Sequence, residues 1–182
     1  MTQNLVVTEY ITLDGSFHEP GEWSFPFWNE QAMEFKKAEL FSVESMLLGR
    51  KTYEGFAAAW PTMDDEEGFA DRMNGMPKYV VSSTLSDPSW TNTRVIGTGD
   101  IAGSVADLKA SAGGPILVAG SGQLVRALLA ANLIDELRFL LHPFVIGTGQ
   151  KLFTDGLPQG AWTLTDLQKF DTGVVALTYQ PA

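Results

Sequence analysis

The 182-residue chain contains no cysteine. That removes disulfides, thiolate metal sites and cysteine nucleophiles, and it fits a reducing compartment. Histidine is scarce as well. His18 and His142 are the only two, and neither is accompanied by a metal-ligand spacing. No apolar run approaches the length of a membrane span, and Met1 to Asn4 lacks the basic and apolar regions of a signal peptide. A cytoplasmic protein without a membrane partner is expected. Positive charge is in short supply too, with 12 Lys and Arg against 22 Asp and Glu and a net charge of -10. Such a field repels nucleic acid and anionic membranes, which leaves a small ligand held by a local cationic site. Repeats, linkers and low-complexity tracts are all missing.

What is present suits one globular domain over residues 1–182. With 45% hydrophobic and 19% charged residues, the chain is long enough for a full core without cross-links. Against the acidic background, the adjacent cations Arg50 and Lys51 stand out. They follow a short apolar run, Met46-Leu47-Leu48, of buried-strand length and then Gly49, and Thr52 opens a helix to about Ala59. Glycine allows close approach to the backbone, the N–H groups of a first helical turn point outward, and Arg50, Lys51 and Thr52 add charge and a hydroxyl. The arrangement is either an anion cradle or an ordinary strand-to-helix turn.

In chain order, Leu5 to Thr12 reads as a first strand ended by Asp14-Gly15. Ser16 to Ser24 reads as a loop whose Phe17, His18 and Trp23 suit a flap over a pocket or an apolar contact with the core. Ser24 and Pro26 signal a helix to about Ser42, with Trp28, Ala32, Phe35, Ala38 and Phe41 as its buried stripe and Lys36 and Lys37 on its solvated face. Glu30, near its start, is the acid placed to meet a polar substrate. Asp64 to Glu67 forms an acidic first turn for a short helix ending near Asn74-Gly75. Lys78 to Ser82 reads as a strand running into Ser82, Ser83 and Thr84, hydroxyls that either bind phosphate or ribose or cap the backbone.

Val95 and Ile96 precede a turn at Gly97-Thr98-Gly99, and Ser104 starts a helix to about Ser111. Ile116 to Ala119 is a second buried strand, followed by Gly120-Ser121-Gly122 and a helix from Gln123 to about Ala131, a second strand–glycine–helix junction fit for an anion. It is no full Rossmann fingerprint, because Val125 stands at the third glycine, and Arg50 rules out a P-loop at the first junction. Glu136 to His142 reads as a strand closed by Pro143, with a further turn at Gly147-Thr148-Gly149. Ala161 to Tyr179 reads as a hairpin turning at Asp171-Thr172-Gly173, with Val175, Leu177 and Tyr179 on its buried face.

Five segments in this order carry a resemblance: Thr12-Leu13-Asp14-Gly15, Leu48 to Glu54, Val80 to Thr84, Val118 to Gly122, and His142 to Gly149. The chain resembles the dihydrofolate-reductase-like superfamily, and more closely the stand-alone relatives of the reductase domain of riboflavin biosynthesis. The resemblance implies a three-layer α/β fold with a mostly parallel sheet of about eight strands and an antiparallel C-terminal pair. It also implies NADPH across that sheet. By position, Gly49, Arg50, Lys51 and Thr52 meet its phosphates, Ser82 and Ser83 the 2′-phosphate region, and Gly120, Ser121, Gly122 and Gln123 the pyrophosphate.

The stretch Phe56 to Met63 has no cation where folate-reducing members hold the glutamate tail of folate, so dihydrofolate itself is disfavoured as substrate. Glu30, Asp14 or bound water is left as proton source. The leading expectation is an NADPH-dependent reductase of a small heterocycle, such as a ribosylamino-pyrimidine or pterin-like compound, acting as a homodimer. The alternatives are a nucleotide binder without turnover and a structural dimerisation module, since the aromatics from Trp23 to Trp28 suit a pocket or a dimer contact.

Overall fold

The computed structural model describes residues 2–64, 67–97 and 99–182. Two expectations touch positions outside them: the acidic turn at Asp64 to Glu67 includes Asp65 and Glu66, and the turn at 97–99 includes Thr98. The strands are β1 (Leu5–Thr12), β2 (Ser45–Gly49), β3 (Lys78–Val81), β4 (Thr93–Ile96), β5 (Ile116–Ala119), β6 (Glu136–His142), β7 (Trp162–Lys169) and β8 (Val175–Pro181). The helices are α1 (Pro20–Trp23), α2 (Glu30–Phe41), α3 (Arg50–Ala59), α4 (Phe69–Gly75), α5 (Ile101–Ala110) and α6 (Gly122–Ala130). Among the described residues no helix is long and apolar enough to cross a membrane.

All the strands join one sheet in the order β4-β3-β2-β5-β1-β6-β8-β7. The pairs from β4 to β6 are parallel, while β8 is antiparallel to both β6 and β7. This is the mixed sheet that the dihydrofolate-reductase-like resemblance implies. Its central strands read as continuous apolar runs because both faces are covered. Leu5, Val7, Leu47, Ile116 and Val118 point to one side, where they pack with Val105 of α5 and Leu124, Val125 and Leu128 of α6. Val6, Met46, Leu48 and Leu117 point to the other, against Leu40 of α2, Tyr53 of α3 and Met73 of α4. A smaller cluster joins Ala32 of α2 to Leu140, Phe170, Val174 and Ala176.

Several boundaries differ from the sequence expectation. The helix read from Ser24 starts at Glu30, because the side chain of Asn29 accepts the Ala32 N–H and caps it, while Pro26 sits in a separate 3-10 turn, Phe25–Phe27. Part of the stretch read as a loop forms α1. The expected α2 stripe is only partly right: Ala32 is buried, but Trp28 is 40% and Phe41 51% exposed. Leu40 and the charged Glu39 turn inward instead, and Lys36, read as solvated, is largely covered. Helix α3 begins at Arg50 rather than Thr52, and α5 at Ile101 rather than Ser104, since Asp100 accepts from Gly103 N at 2.9 Å and is the cap. In the hairpin, Val174 and Ala176 are the fully buried residues, whereas Val175, Leu177 and Tyr179 are half-buried.

One side chain that reads as an ordinary strand-end lysine is a core element. Lys78 is buried, and its Nζ donates to the carbonyls of Asn74 and Met76 at 2.8 Å and Thr91 at 3.0 Å, with the Trp90 ring centroid 4.3 Å away. It ties the end of α4 to the segment preceding β4. Burial lowers its pKa from 10.5 to about 8.

Candidate functional site

Neighbouring parallel strands β2 and β5 send their following helices to opposite faces of the sheet. A crevice therefore opens at their carboxyl ends, where α/β sheets bind ligands. The two glycine junctions of the sequence meet at this place. Helix α3 has Gly49 as its N-cap and α6 has Ser121, and neither receives a side-chain cap. Ser121 lies in the left-handed region at φ 66° and ψ 41°. Its hydroxyl, instead of capping α6, accepts from Gly49 N at 2.9 Å and is directed at Thr52 Oγ1 at 3.0 Å. One side chain thus couples the starts of two helices that lie 72 residues apart in sequence.

The backbone on the β5 side is tightly set. Gly120, at φ 56°, donates its N–H to Thr8 O of β1 at 3.1 Å. At Gly122 a Cβ would lie 2.4 Å from the Phe17 ring, so only glycine accommodates that ring as placed. The guanidinium of Arg126 lies 5.8 Å from the same ring. Phe17 therefore packs on the first turn of α6 and against the core beside it, the apolar-contact reading of its loop. Arg50 and Lys51 are exposed at the start of α3, with Arg50 Nη1 donating to Glu54 Oε1 at 2.8 Å, and Gln123 is exposed at the start of α6.

The serines after β3 divide. Ser82 is buried and its Oγ accepts the N–H groups of Thr84 at 3.1 Å and Leu85 at 3.0 Å, the backbone-capping arrangement. Ser83 is exposed and available.

The two acids named as proton sources are differently placed. Asp14 accepts from Thr12 Oγ1 at 2.6 Å, from Gly147 N at 3.1 Å and Ile146 N at 3.3 Å, and pairs with Lys151. The Lys151 ammonium, then the Thr12 hydroxyl and the two amides, hold its carboxyl well below the usual carboxylate range. It has no proton to give at neutral pH, and its work is to clamp the end of β1 to the 146–151 loop. Asp14→Ala should leave the sheet folded and release that loop. Hydrogen exchange at the amides of Ile146 and Gly147 should accelerate at least roughly tenfold, and unchanged protection would show that the clamp is unnecessary. Glu30 is exposed in the first turn of α2, beside Trp28, Met33 and Lys37, in a shallow depression of about 560 Å³.

Residues that sequence reading passed over are the buried charges. Glu9 lies within β1, 3% exposed, and its Oε1 has no hydrogen-bond partner. Burial, only partly opposed by the Lys36 charge, pushes its carboxyl up to about 8. The visible signal was a lone acid in an otherwise apolar and hydroxylated strand. Lys36 contacts Thr8 Oγ1 at 3.3 Å and pairs with Glu39. Burial works against its charge, yet the Glu39 carboxylate raises its pKa overall. His142, whose role the sequence left open, is a packing element: its ring sits 5.3 Å from Tyr10, 5.0 Å from Trp23 and 5.7 Å from Phe27, with Nδ1 2.8 Å from Leu140 O. Burial lowers its pKa, which keeps the ring neutral. It holds α1 and the following turn onto β1 and β6.

Comparison with known proteins agrees with this architecture. YyaP of Bacillus subtilis (strain 168), itself uncharacterized, is 27% identical over 143 residues, covering 77% of this chain and 75% of that one. A candidate riboflavin biosynthesis protein from Shewanella sp. PV-4 superposes with a TM-score of 0.79 at 19% identity, over 100% of this chain and 99% of that one. The Thermotoga maritima diaminohydroxyphosphoribosylaminopyrimidine deaminase/5-amino-6-(5-phosphoribosylamino)uracil reductase gives 0.69 at 12% identity. That match covers the whole of this chain but 57% of the Thermotoga protein. At these identities the two superpositions show the shared fold. The family model of the RibD C-terminal domain matches residues 3–176, and the chain belongs to that family.

Proposed function

We propose that the protein is an NADPH-dependent reductase that transfers hydride to a small heterocycle of the ribosylamino-pyrimidine or pterin type. The observation that carries the reading is the meeting of two uncapped helix N-termini, α3 and α6, at the carboxyl ends of adjacent strands, coupled by Ser121. Paired N-termini with glycine-permitted close approach fit a dinucleotide's phosphates, and Arg50 and Lys51 add the charge that a further phosphate needs. Family membership supports the reductase class. When bound, NADPH supplies the hydride itself.

The chain's own contribution is to bind and orient. Gly49 to Thr52 and Gly120 to Gln123 hold the phosphates, Ser83 reaches the adenosine end, and Phe17 shields the α6 turn from water. Asp14 acts through loop position rather than as an acid, which leaves Glu30 or water to deliver the proton. The proposed assembly is a homodimer, with sedimentation as its check. A nucleotide binder without turnover is the second reading, favoured by the commitment of Asp14 to Lys151.

Titration with NADPH and, in parallel, NADH tests the proposal, read by tryptophan fluorescence or calorimetry. NADPH should bind at least about tenfold tighter than NADH. Arg50→Ala should lose most of that preference without loss of stability, because its pair with Glu54 is an exposed i,i+4 contact worth about 0.3–0.5 kcal/mol. Absence of binding by either dinucleotide at millimolar concentration would remove the cofactor assignment. Binding without oxidation, across a panel of pyrimidine and pterin substrates, would select the second reading.

A further inference from the structure

Strand β7 ends the sheet, and from Thr163 to Lys169 it is exposed. Residues directly opposite one another on antiparallel strands point to the same side. The pairings therefore align Leu164 with Tyr179 and Leu137 in one row, and Leu167 with Leu177 and Phe139 in the next. These rows lie on the α6 side of the sheet, where Leu137 and Phe139 belong to the core and Leu177 and Tyr179 border it. Outward from β8 the rows run into solvent. Leu164 is 45% and Leu167 54% exposed, and Phe153, whose ring lies 5.8 Å from that of Phe139, is 52% exposed.

In a regular strand, residues three apart point to opposite faces, so Leu164 and Leu167 would be divided. The register shift between Leu164 and Asp166 returns both to one face. An irregularity that gathers leucines on a solvated surface marks an interaction site rather than scattered exposure. Charge is sorted in the same way. Glu136, Arg138 and Asp166 alternate to the other side, where they line a groove toward α2. On the leucine face the three strands present a single charge, Lys169, opposite Val175.

That sorting selects the occupant. A net charge of -10 disfavours anionic membranes and nucleic acid, and it makes copies of the chain repel one another wherever acids face acids. The leucine face carries no strand carboxylate, so two copies meet there without that repulsion. At about 4.8 Å between strands and about 3.3 Å per residue, three strands of seven or eight residues have a footprint of roughly 400 Å². Side chains expose more area than the footprint beneath them, and two protomers together bury on the order of 1,000 Å², enough for a specific interface.

We propose that this face is the contact between two copies of the chain, related by a two-fold axis, with their β6–β8–β7 faces packed as the sheets of a sandwich. It supplies the contact surface of the homodimer proposed above and does not rest on the reductase reading. Phe25, which is 73% exposed within the aromatic stretch from Trp23 to Trp28, stays outside the contact.

Sedimentation equilibrium of the full chain from about 1 to 200 μM tests it, and the wild type should dimerise with a Kd of about 10 μM or tighter. Leu167→Glu should weaken the dimer roughly thirtyfold or more, because it places a charge in an apolar contact while the side chain is already solvated in the monomer. Leu164→Glu should do the same, and circular dichroism identifies which variants are folded, so that either position keeps the test open. Phe25→Glu should leave the dimer intact. A wild-type chain that is monomeric at about 200 μM would overturn the homodimer together with its contact. A dimer of wild-type affinity in either folded glutamate variant of β7, or one that Phe25→Glu dissociates, would overturn this contact alone.

Discussion

Ser121→Val is expected to lower the unfolding free energy by about 3–5 kcal/mol, while Ser121→Gly should stay within about 1 kcal/mol of the wild type. The contrast follows from two effects at one residue. Ser121 occupies the left-handed region, φ 66°, where a β-branched side chain costs about 1–3 kcal/mol and glycine nothing. Valine also removes the acceptor for Gly49 N, and a partly buried N–H without a partner costs about 1–3 kcal/mol. Glycine loses the same bonds but recovers the backbone strain. Urea unfolding of the three proteins decides it, and equal midpoints for the valine and glycine variants would show that the left-handed geometry carries no strain. Ser121→Gly is the informative variant for function. It should remain folded yet bind NADPH at least about tenfold more weakly, because the two helix starts are no longer held in register.

Glu9→Gln should raise the stability of the protein at neutral pH by about 3 kcal/mol, an increase in Tm of roughly 6–12 °C. Burial lifts the folded-state pKa of Glu9 to about 8 from the ordinary 4.5. The folded state therefore holds a proton that the unfolded chain releases, and stability fully present below pH 4.5 is lost progressively as pH rises to about 8. Glutamine mimics the protonated acid and flattens that decline. Above this window Lys78 acts with the opposite sign. Its folded pKa of about 8 lies below the ordinary 10.5, so the unfolded state binds the extra proton and stability climbs from pH 8 to about 10.5. Wild-type melts should show a minimum near pH 8, and the Glu9→Gln curve should lack the falling limb. A variant curve that keeps the wild-type slope from pH 4.5 to 8 would assign the pH dependence elsewhere.

The parts of the site most readable in the chain were those with strictly local causes. Met46-Leu47-Leu48 and Ile116 to Ala119 are apolar runs too short for helices, and each runs into a glycine and then a helix. Strand, turn and helix start are all set within a dozen residues there. Helix α2 starts at Glu30 and not at Ser24 because the start signals Ser24 and Pro26 are spent on a 3-10 turn, while Asn29 supplies the actual cap. Its buried face departs from the apolar stripe for a different reason. Lys36 and Glu39 count as solvated in any hydrophobic pattern, yet each is covered because the other, with Thr8 and Arg138, offsets its desolvation.

The two junctions also differ from the serines and from Asp14 in what local sequence can tell. A hydroxyl after a strand either binds a ligand or closes its own turn, and only the tertiary structure shows Ser82 doing the latter. Asp14 ends a strand as turn aspartates do, but its partner Lys151 is 137 residues away. No local pattern names that partner.

By itself, the sequence determined the alternation of strands and helices, the two glycine junctions, the cationic pair at Arg50 and Lys51 and the family resemblance, because each rests on neighbours within a few residues. Only the tertiary structure decided that the two junctions lie side by side, that Ser121 couples them, and that Glu9, Lys36, Glu39 and Lys78 are buried. The order of strands in the sheet brings β2 and β5 together across 66 residues of intervening chain, and burial of a charge depends on which elements close over it.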